Sequence, residues 1–353
     1  MTTEKKSFAL NGNSDISIDF SLDFADVREF KADVLILKYA QYNYGVDKII
    51  SYDLHQIGKL DLKTIRPQIG DFAFIKNIGT TKFANILFVG VPFLDEFGYK
   101  EIREFTKDAL NILSVNKPDI SHIAMTIHGA GYGLDESESV ISQVAGLLEA
   151  LSLGCFPKSL KKISIIENNH ERLTRMRKVI DQHLKTYKIV QRNSNEWIYS
   201  IQLGNLKEDD NNNIIETTKK SEIKRHIFVA MPFIDQMSDT FYYGIQEPIN
   251  KNDFLCERID QDIFTGDVLT KIKDKIETCS AVVADLTLSN PNVYLEIGYA
   301  WGINKPTILI VKEDEKLKFD VRGQRCLIYK NIKHLEELLT KEIKGLADRG
   351  ELK

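Results

Sequence analysis

Ser289-Asn290-Pro291-Asn292-Val293-Tyr294-Leu295-Glu296-Ile297-Gly298-Tyr299-Ala300 decides the reading of the second half of this chain. It follows Ala281-Val282-Val283-Ala284-Asp285-Leu286, an apolar run with the character of a buried parallel strand. The Asn/Pro-rich segment reads as a loop, and Leu295 to Ile303 carries the apolar spacing of a helix packed on a sheet. Glu296 is therefore expected in the first helical turn, beside the C-terminal edge of a strand, where open α/β sheets take their ligands. Such a carboxylate either favours the positive end of the helix dipole or is the reacting group of an active site.

Working outward, Arg225 to Phe233 opens with a strand that breaks at Pro232. A helix-like segment and a short polar stretch with Arg258 and Asp260 follow, then Thr265-Gly266-Asp267 as a helix start. Val268 to Glu277 reads as that helix, and Pro306 to Val311 as the strand after the Ala281 run. Strand and helix in alternation specify an α/β fold with a doubly wound, flavodoxin-like parallel sheet.

Met231-Pro232-Phe233, the run Val282 to Thr287, the stretch Asn290 to Ala300 and the stretch Asn304 to Val311 together resemble the nucleoside 2-deoxyribosyltransferase-like superfamily, close to TIR-like domains. The resemblance spans roughly residues 224 to 330. It implies that a Glu on this helix attacks or stabilises the anomeric carbon of an N-glycosidic bond, and Glu296 is the matching residue. Asn290 lies where the transferases often carry a sugar-holding Asp. Asp267 is the nearest counterpart of a second family Asp but sits too far upstream, and Asn292-Val293-Tyr294-Leu295 replace the usual small residues before the Glu. Both departures weigh against deoxyribosyl transfer and leave glycosidic cleavage open.

The mechanism that suits these groups builds oxocarbenium character on the sugar as the base departs, with Glu296 stabilising it or forming an ester. Nicotinamide in NAD leaves without protonation; a purine needs a general acid, for which Asp285 is the candidate. Asp285 has a second reading, as an acceptor for backbone N–H groups of the loop after its strand. Met231, Phe233, Arg258, Asp260, Asp267, Asn290, Asn292 and Tyr294 complete the expected substrate-binding set. Arg258 with Asp260 also reads as a surface ion pair, and Asn290 and Asn292 as Asx turns.

Residues 1 to about 200 alternate strand and helix too. Strands are expected at Ala32–Leu37, Gly70–Ile75, Asn85–Val91, His122–Ile127 and Lys162–Glu167, the last closing the pattern, and helices at Tyr99–Leu113 and Glu136–Leu151. A mixed sheet with helices on both faces follows. His128-Gly129-Ala130-Gly131-Tyr132-Gly133 joins a strand to a helix; its glycines either let a phosphate approach the backbone or simply make a tight turn. Element order and this loop loosely resemble macro domains and the N-terminal domain of leucine aminopeptidases, across about residues 15 to 185. That resemblance implies nucleotide binding by Gly129, Gly131, Tyr132 and Gly133.

The full 353 residues suffice for two domains. Residues 206–223, which include Lys207-Glu208-Asp209-Asp210-Asn211-Asn212-Asn213, lack a core-facing pattern and read as a linker between a domain at 1–205 and one at 224–353. A net charge of −4 implies no general attraction to nucleic acid. Cys155, Cys256, Cys279 and Cys326 form no CxxC pair, which points to a reducing, cytoplasmic setting and away from structural zinc. No membrane segment and no cofactor are expected. The expected function is an N-glycosidase acting on NAD, a nucleoside or a nucleotide, working as a homo-oligomer. By analogy with sensor–enzyme pairs, it would serve antiviral defence under control of a nucleotide at the first domain. A nucleoside metabolic enzyme and a non-catalytic nucleotide-binding scaffold are the alternatives.

Overall fold

The computed structural model describes residues 16–58, 60–76, 79–193, 197–203, 224–259, 268–315, 321 and 323–352. The chain divides into two compact units: residues 1–129 with 136–222, and residues 130–135 with 223–353. The expected linker 206–223 and the residues Asp260 and Asp267 lie outside the described residues.

The first unit carries β1 (Ser17–Phe24), β2 (Val34–Tyr39), α1 (Gly45–Gln56), β3 (Phe72–Lys76), β4 (Asn85–Gly90) and α2 (Tyr99–Asn116). Then come β5 (His122–Thr126), α3 (Glu136–Ser152), β6 (Lys162–Glu167), α4 (His170–Leu184), β7 (Val190–Arg192) and β8 (Ile198–Gln202). They build one eight-stranded mixed sheet, β3-β4-β2-β5-β6-β1-β8-β7. Its middle, from β4 to β1, is parallel, and β3 and β8 add antiparallel edges. Every residue of β2 is buried, as expected of a strand covered on both faces. On one face, Leu35 and Leu37 pack with Ile50 and Leu54 of α1 and with Phe83, Ile86 and Phe88.

Three expectations need correction here. Lys162–Glu167 does not close the pattern, because α4, β7 and β8 follow and β8 pairs back onto β1. Strand β1 and helix α1 were not anticipated. In α1 the buried positions include Asp47, Ser51 and Asp53 beside Ile50 and Leu54, so no clean apolar stripe marks it in the sequence.

The second unit contains β9 (His226–Ala230), a π-helical stretch (Thr240–Gln246), α5 (Glu247–Lys251), β10 (Leu255–Glu257), α6 (Val268–Thr278) and β11 (Ala281–Asp285). It continues with α7 (Pro291–Gly302), β12 (Thr307–Lys312), β13 (Cys326–Tyr329) and α8 (Ile332–Asp348). All five strands are parallel, in the order β10-β9-β11-β12-β13. This is the flavodoxin-like order, with the topological switch between β9 and β11. One face packs against the π-helical stretch, α5 and α8, whose Leu335, Leu339, Ile343 and Leu346 recur at helical spacing. The other face packs against α6 and α7 through Ile272, Ile276, Val293, Ile297 and Ala300. The fold is thus α/β with a mixed sheet in one unit and a doubly wound parallel sheet in the other.

Helix α7 starts four residues earlier than Leu295. Asn290 is its N-cap, accepting the Asn292 N–H at 2.9 Å, and Pro291 occupies the first helical position, where its missing N–H costs nothing. Glu296 therefore stands in the second turn rather than the first, too far along for the dipole reading to explain it.

Candidate active site

At the C-terminal end of β11 the chain turns sharply into α7. Leu288 and Ser289 take positive φ values of 68° and 50°, strained for L-residues with side chains. The turn is anchored by Asp285, which is fully buried. One carboxylate oxygen accepts the Thr287 N–H at 2.9 Å and the other the Tyr329 hydroxyl at 3.3 Å. The Thr287 hydroxyl in turn accepts the Lys312 N–H at 3.2 Å. Burial pushes the Asp285 carboxyl up, partly offset by these donors. The loop-anchor reading of Asp285 agrees with these two contacts.

Glu296 has a different environment. It projects into a groove between α6 and α7 with a cavity volume of about 450 Å³, walled by Leu269, Ile272 and Ile276 on one side and Tyr294, Leu295 and Tyr299 on the other. Among the described residues no donor reaches its carboxylate. Loss of water alone pushes its pKa up to about 7. The Tyr294 hydroxyl in the same groove is shielded from solvent and has no hydrogen-bond partner among the described residues. A buried hydroxyl without a partner beside a partly desolvated carboxyl is costly for a fold and useful for a site. Lys273 flanks them, its ammonium 5.5 Å from the Tyr299 ring centroid.

Met231, Phe233 and Arg258 gather at the C-terminal ends of β9 and β10. The Arg258 guanidinium lies 4.6 Å from the Phe233 ring centroid and 3.7 Å from that of Phe241, with Nη1 3.7 Å from the Met231 sulfur. Contacts of this kind hold a cation by the ring quadrupoles. Phe241, supplied by the π-helical stretch, escaped the sequence reading, as did Leu269, Ile272 and Ile276. Among the expected substrate residues that are described, Tyr294 alone lines the groove with Glu296; Asn290 and Asn292 make the helix cap.

In the glycine loop, Gly129, Gly131 and Gly133 have φ of 88°, 88° and 91°, a region that favours glycine, so the turn by itself accounts for them. Gln143 of α3 braces its start, accepting the His128 N–H at 3.2 Å and donating to the Thr126 carbonyl at 2.9 Å. The His128 ring is buried edge-on to Phe105 and is held neutral by burial and by nearby Lys38. Residues 130–135 belong to the second unit, where the Asp135 carboxylate accepts from the Asn250 amide at 2.7 Å and from the Cys256 N–H at 2.8 Å.

Among the described residues no helix is long and apolar enough to cross a membrane, and no cluster of three or more His, Cys, Asp or Glu is arranged to hold a metal ion. No protein-family model matches the chain, and no curated protein matches it. Solved structures do. An Oceanobacillus iheyensis macrodomain with MES bound aligns at 11% identity and TM-score 0.38, covering 49% of this chain and 100% of its own. A Trypanosoma brucei macrodomain in complex with ADP-ribose aligns at 14% identity and TM-score 0.37, covering 46% and 68%. A Clostridium botulinum CMP N-glycosidase aligns at 21% identity and TM-score 0.29, covering 33% of this chain and 99% of its own.

Proposed function

We propose that the chain is an N-glycosidase that hydrolyses the base–sugar bond of NAD or of a nucleoside or nucleotide in the groove beside Glu296. The observation that carries this reading is an unpartnered carboxyl, brought to about neutral pKa by an apolar groove, on the helix that leaves the sheet beside its switch point. In the reaction the C1′–N bond breaks and the base takes the electron pair. The Glu296 carboxylate faces the cationic sugar carbon as charge builds there. A water oxygen then bonds to that carbon and its proton passes to Glu296 or to solvent, and a base that departs as an anion, from a nucleoside or nucleotide, takes up a proton from solvent. Nicotinamide leaves NAD as a neutral molecule, so this scheme needs no general acid for that substrate, which suits an Asp285 held inside the fold. Arg258, in cation–π contact with Phe233 and Phe241, is the group proposed to orient a phosphate of the substrate. The finer picture, also proposed, is a homo-oligomeric effector of antiviral defence whose glycine loop, at Gly129 to Gly133, takes a nucleotide signal.

The test is direct. Purified full-length protein is incubated with NAD and a panel of nucleosides and nucleotides, and free base is followed by chromatography, with Glu296→Gln alongside. Base release by the wild type that drops about 100-fold or more in the variant is expected. Equal release by both proteins would remove Glu296 from the chemistry. No release from any substrate, with or without added nucleotide, would overturn the glycosidase reading.

A further inference from the structure

A cavity of about 830 Å³ opens in the first unit, beside the outer face of α1, a size that suits a nucleotide-like ligand. None of the glycines of the 129–133 loop lines it. Two of its tyrosines are unusually open to solvent, Tyr42 at 61% and Tyr52 at 62%. Large aromatic surfaces left wet in this way are ready platforms for a planar ring. Lys48 lies one helical turn before Tyr52 on the same face of α1, and Arg66 faces the cavity from beyond the turn Leu62–Ile65. Among the described residues neither cation has an ionic partner.

The walls are held in place by the fold. Gln41 sits at φ 56° and donates its side-chain amide to the Val91 carbonyl at 3.0 Å, while Tyr39 donates its hydroxyl to the Gln41 carbonyl at 3.2 Å. A non-glycine residue kept in the left-handed region by two hydrogen bonds marks a wall fixed in advance of any ligand. Arg28 is neutralised by Asp53, 2.8 Å away, so the uncompensated charge of the cavity is that of Lys48 and Arg66. His55 binds the Leu60 carbonyl through Nδ1 at 2.9 Å; a carbonyl only accepts, so Nδ1 carries the proton.

We propose that this cavity is a second ligand site, taking an anion that carries a planar heterocycle, of which a nucleoside monophosphate is the simplest form. The ring stacks on Tyr52 or Tyr42, and the phosphate meets Lys48 and Arg66. The site is independent of the Glu296 groove, so it stands or falls separately from the glycosidase reading.

The experiment is isothermal titration of full-length Glu296→Gln protein, which suppresses turnover, with AMP, GMP, CMP and UMP. Adenosine, inorganic phosphate and a short single-stranded oligonucleotide serve as comparison arms. Saturable binding of at least one mononucleotide is expected. It should weaken about tenfold or more in Tyr52→Ala and again in Lys48→Glu or Arg66→Glu. All three side chains lie at the surface, so the folded state, checked by circular dichroism, should persist. Binding that survives all three substitutions lies elsewhere and overturns the proposal, as does failure of every mononucleotide to bind. Inorganic phosphate binding as tightly as the mononucleotides would remove the stacking ring, and adenosine doing so would remove the anion. An oligonucleotide that binds more tightly than any mononucleotide would make the surface a nucleic-acid groove instead.

Discussion

Glu296 combines two demands that oppose each other. Its folded-state pKa of about 7 lies well above the ordinary 4.5, so folding favours the protonated form. Its contribution to stability is therefore fully present below about pH 4.5 and is lost as pH rises through 7. Glu296→Gln removes this dependence. We expect it to match the wild type in thermal melts near pH 4 and to exceed it by about 1–3 kcal/mol near pH 8, after allowance for the side chain's partial exposure. A reaction that uses the carboxylate should gain kcat/KM about tenfold per pH unit up to about 7 and then level off. A profile already flat at pH 5 would exclude ionised Glu296 from the rate. Asp285 is expected to matter to the fold rather than to the rate. Asp285→Asn retains an acceptor for the Thr287 N–H and should keep activity within a few-fold. Asp285→Ala strands this N–H and leaves the Tyr329 hydroxyl only its 3.3 Å contact with the Thr287 hydroxyl, and should cost about 1–3 kcal/mol in denaturant unfolding. Loss of turnover in a stably folded Asp285→Asn would restore it as a general acid.

The helices show how one substitution changes sign with its surroundings. Gly146 of α3 lets the helix approach α2 so closely that a Cβ built there would stand 2.1 Å from the Arg103 carbonyl oxygen. Gly146→Ala must push two helices apart, and overpacking of about 1–3 kcal/mol exceeds the gain of about 1 kcal/mol in helix propensity. Net destabilisation is expected. Gly298 of α7 faces open space, with nothing within 4 Å of its Cβ position. Gly298→Ala should raise stability by about 0.5–1 kcal/mol, because only the backbone entropy term remains. Melting curves of the two variants, compared side by side, check both signs. A stable Gly146→Ala would mean that the two helices are free to separate.

For the whole molecule, the proposed boundary between the two domains is the polar stretch of sequence from Lys207 to Ser221. Limited proteolysis should cut first between Lys207 and Lys224, leaving fragments that each retain a cooperative melt. A first cut between Ala124 and Leu151, inside α3 or its approach, would show that the boundary lies elsewhere.

Much of the architecture was legible in contiguous residues. Val34 to Leu37, Ile163 to Ile166 and Ala281 to Ala284 read as buried strands because a parallel strand covered on both faces must be apolar along its length. Glu296 stood out because it follows such a strand by a short turn. Elements whose burial depends on partners far along the chain were not legible. Strand β10 has three residues and exists by pairing with β9, and α1 buries Asp47 because Lys38 of β2 lies 2.5 Å away. The same limit holds for the site. Residue types and spacing pointed to Glu296, but its altered acidity comes from Leu269, Ile272 and Ile276 on another helix. The cation–π contacts of Arg258 likewise come from Phe233 and Phe241 on a different segment. Periodicity and turn chemistry are local and are written in the sequence; desolvation and cation–π contacts require groups distant in the chain to meet, and strand order decides which ones do.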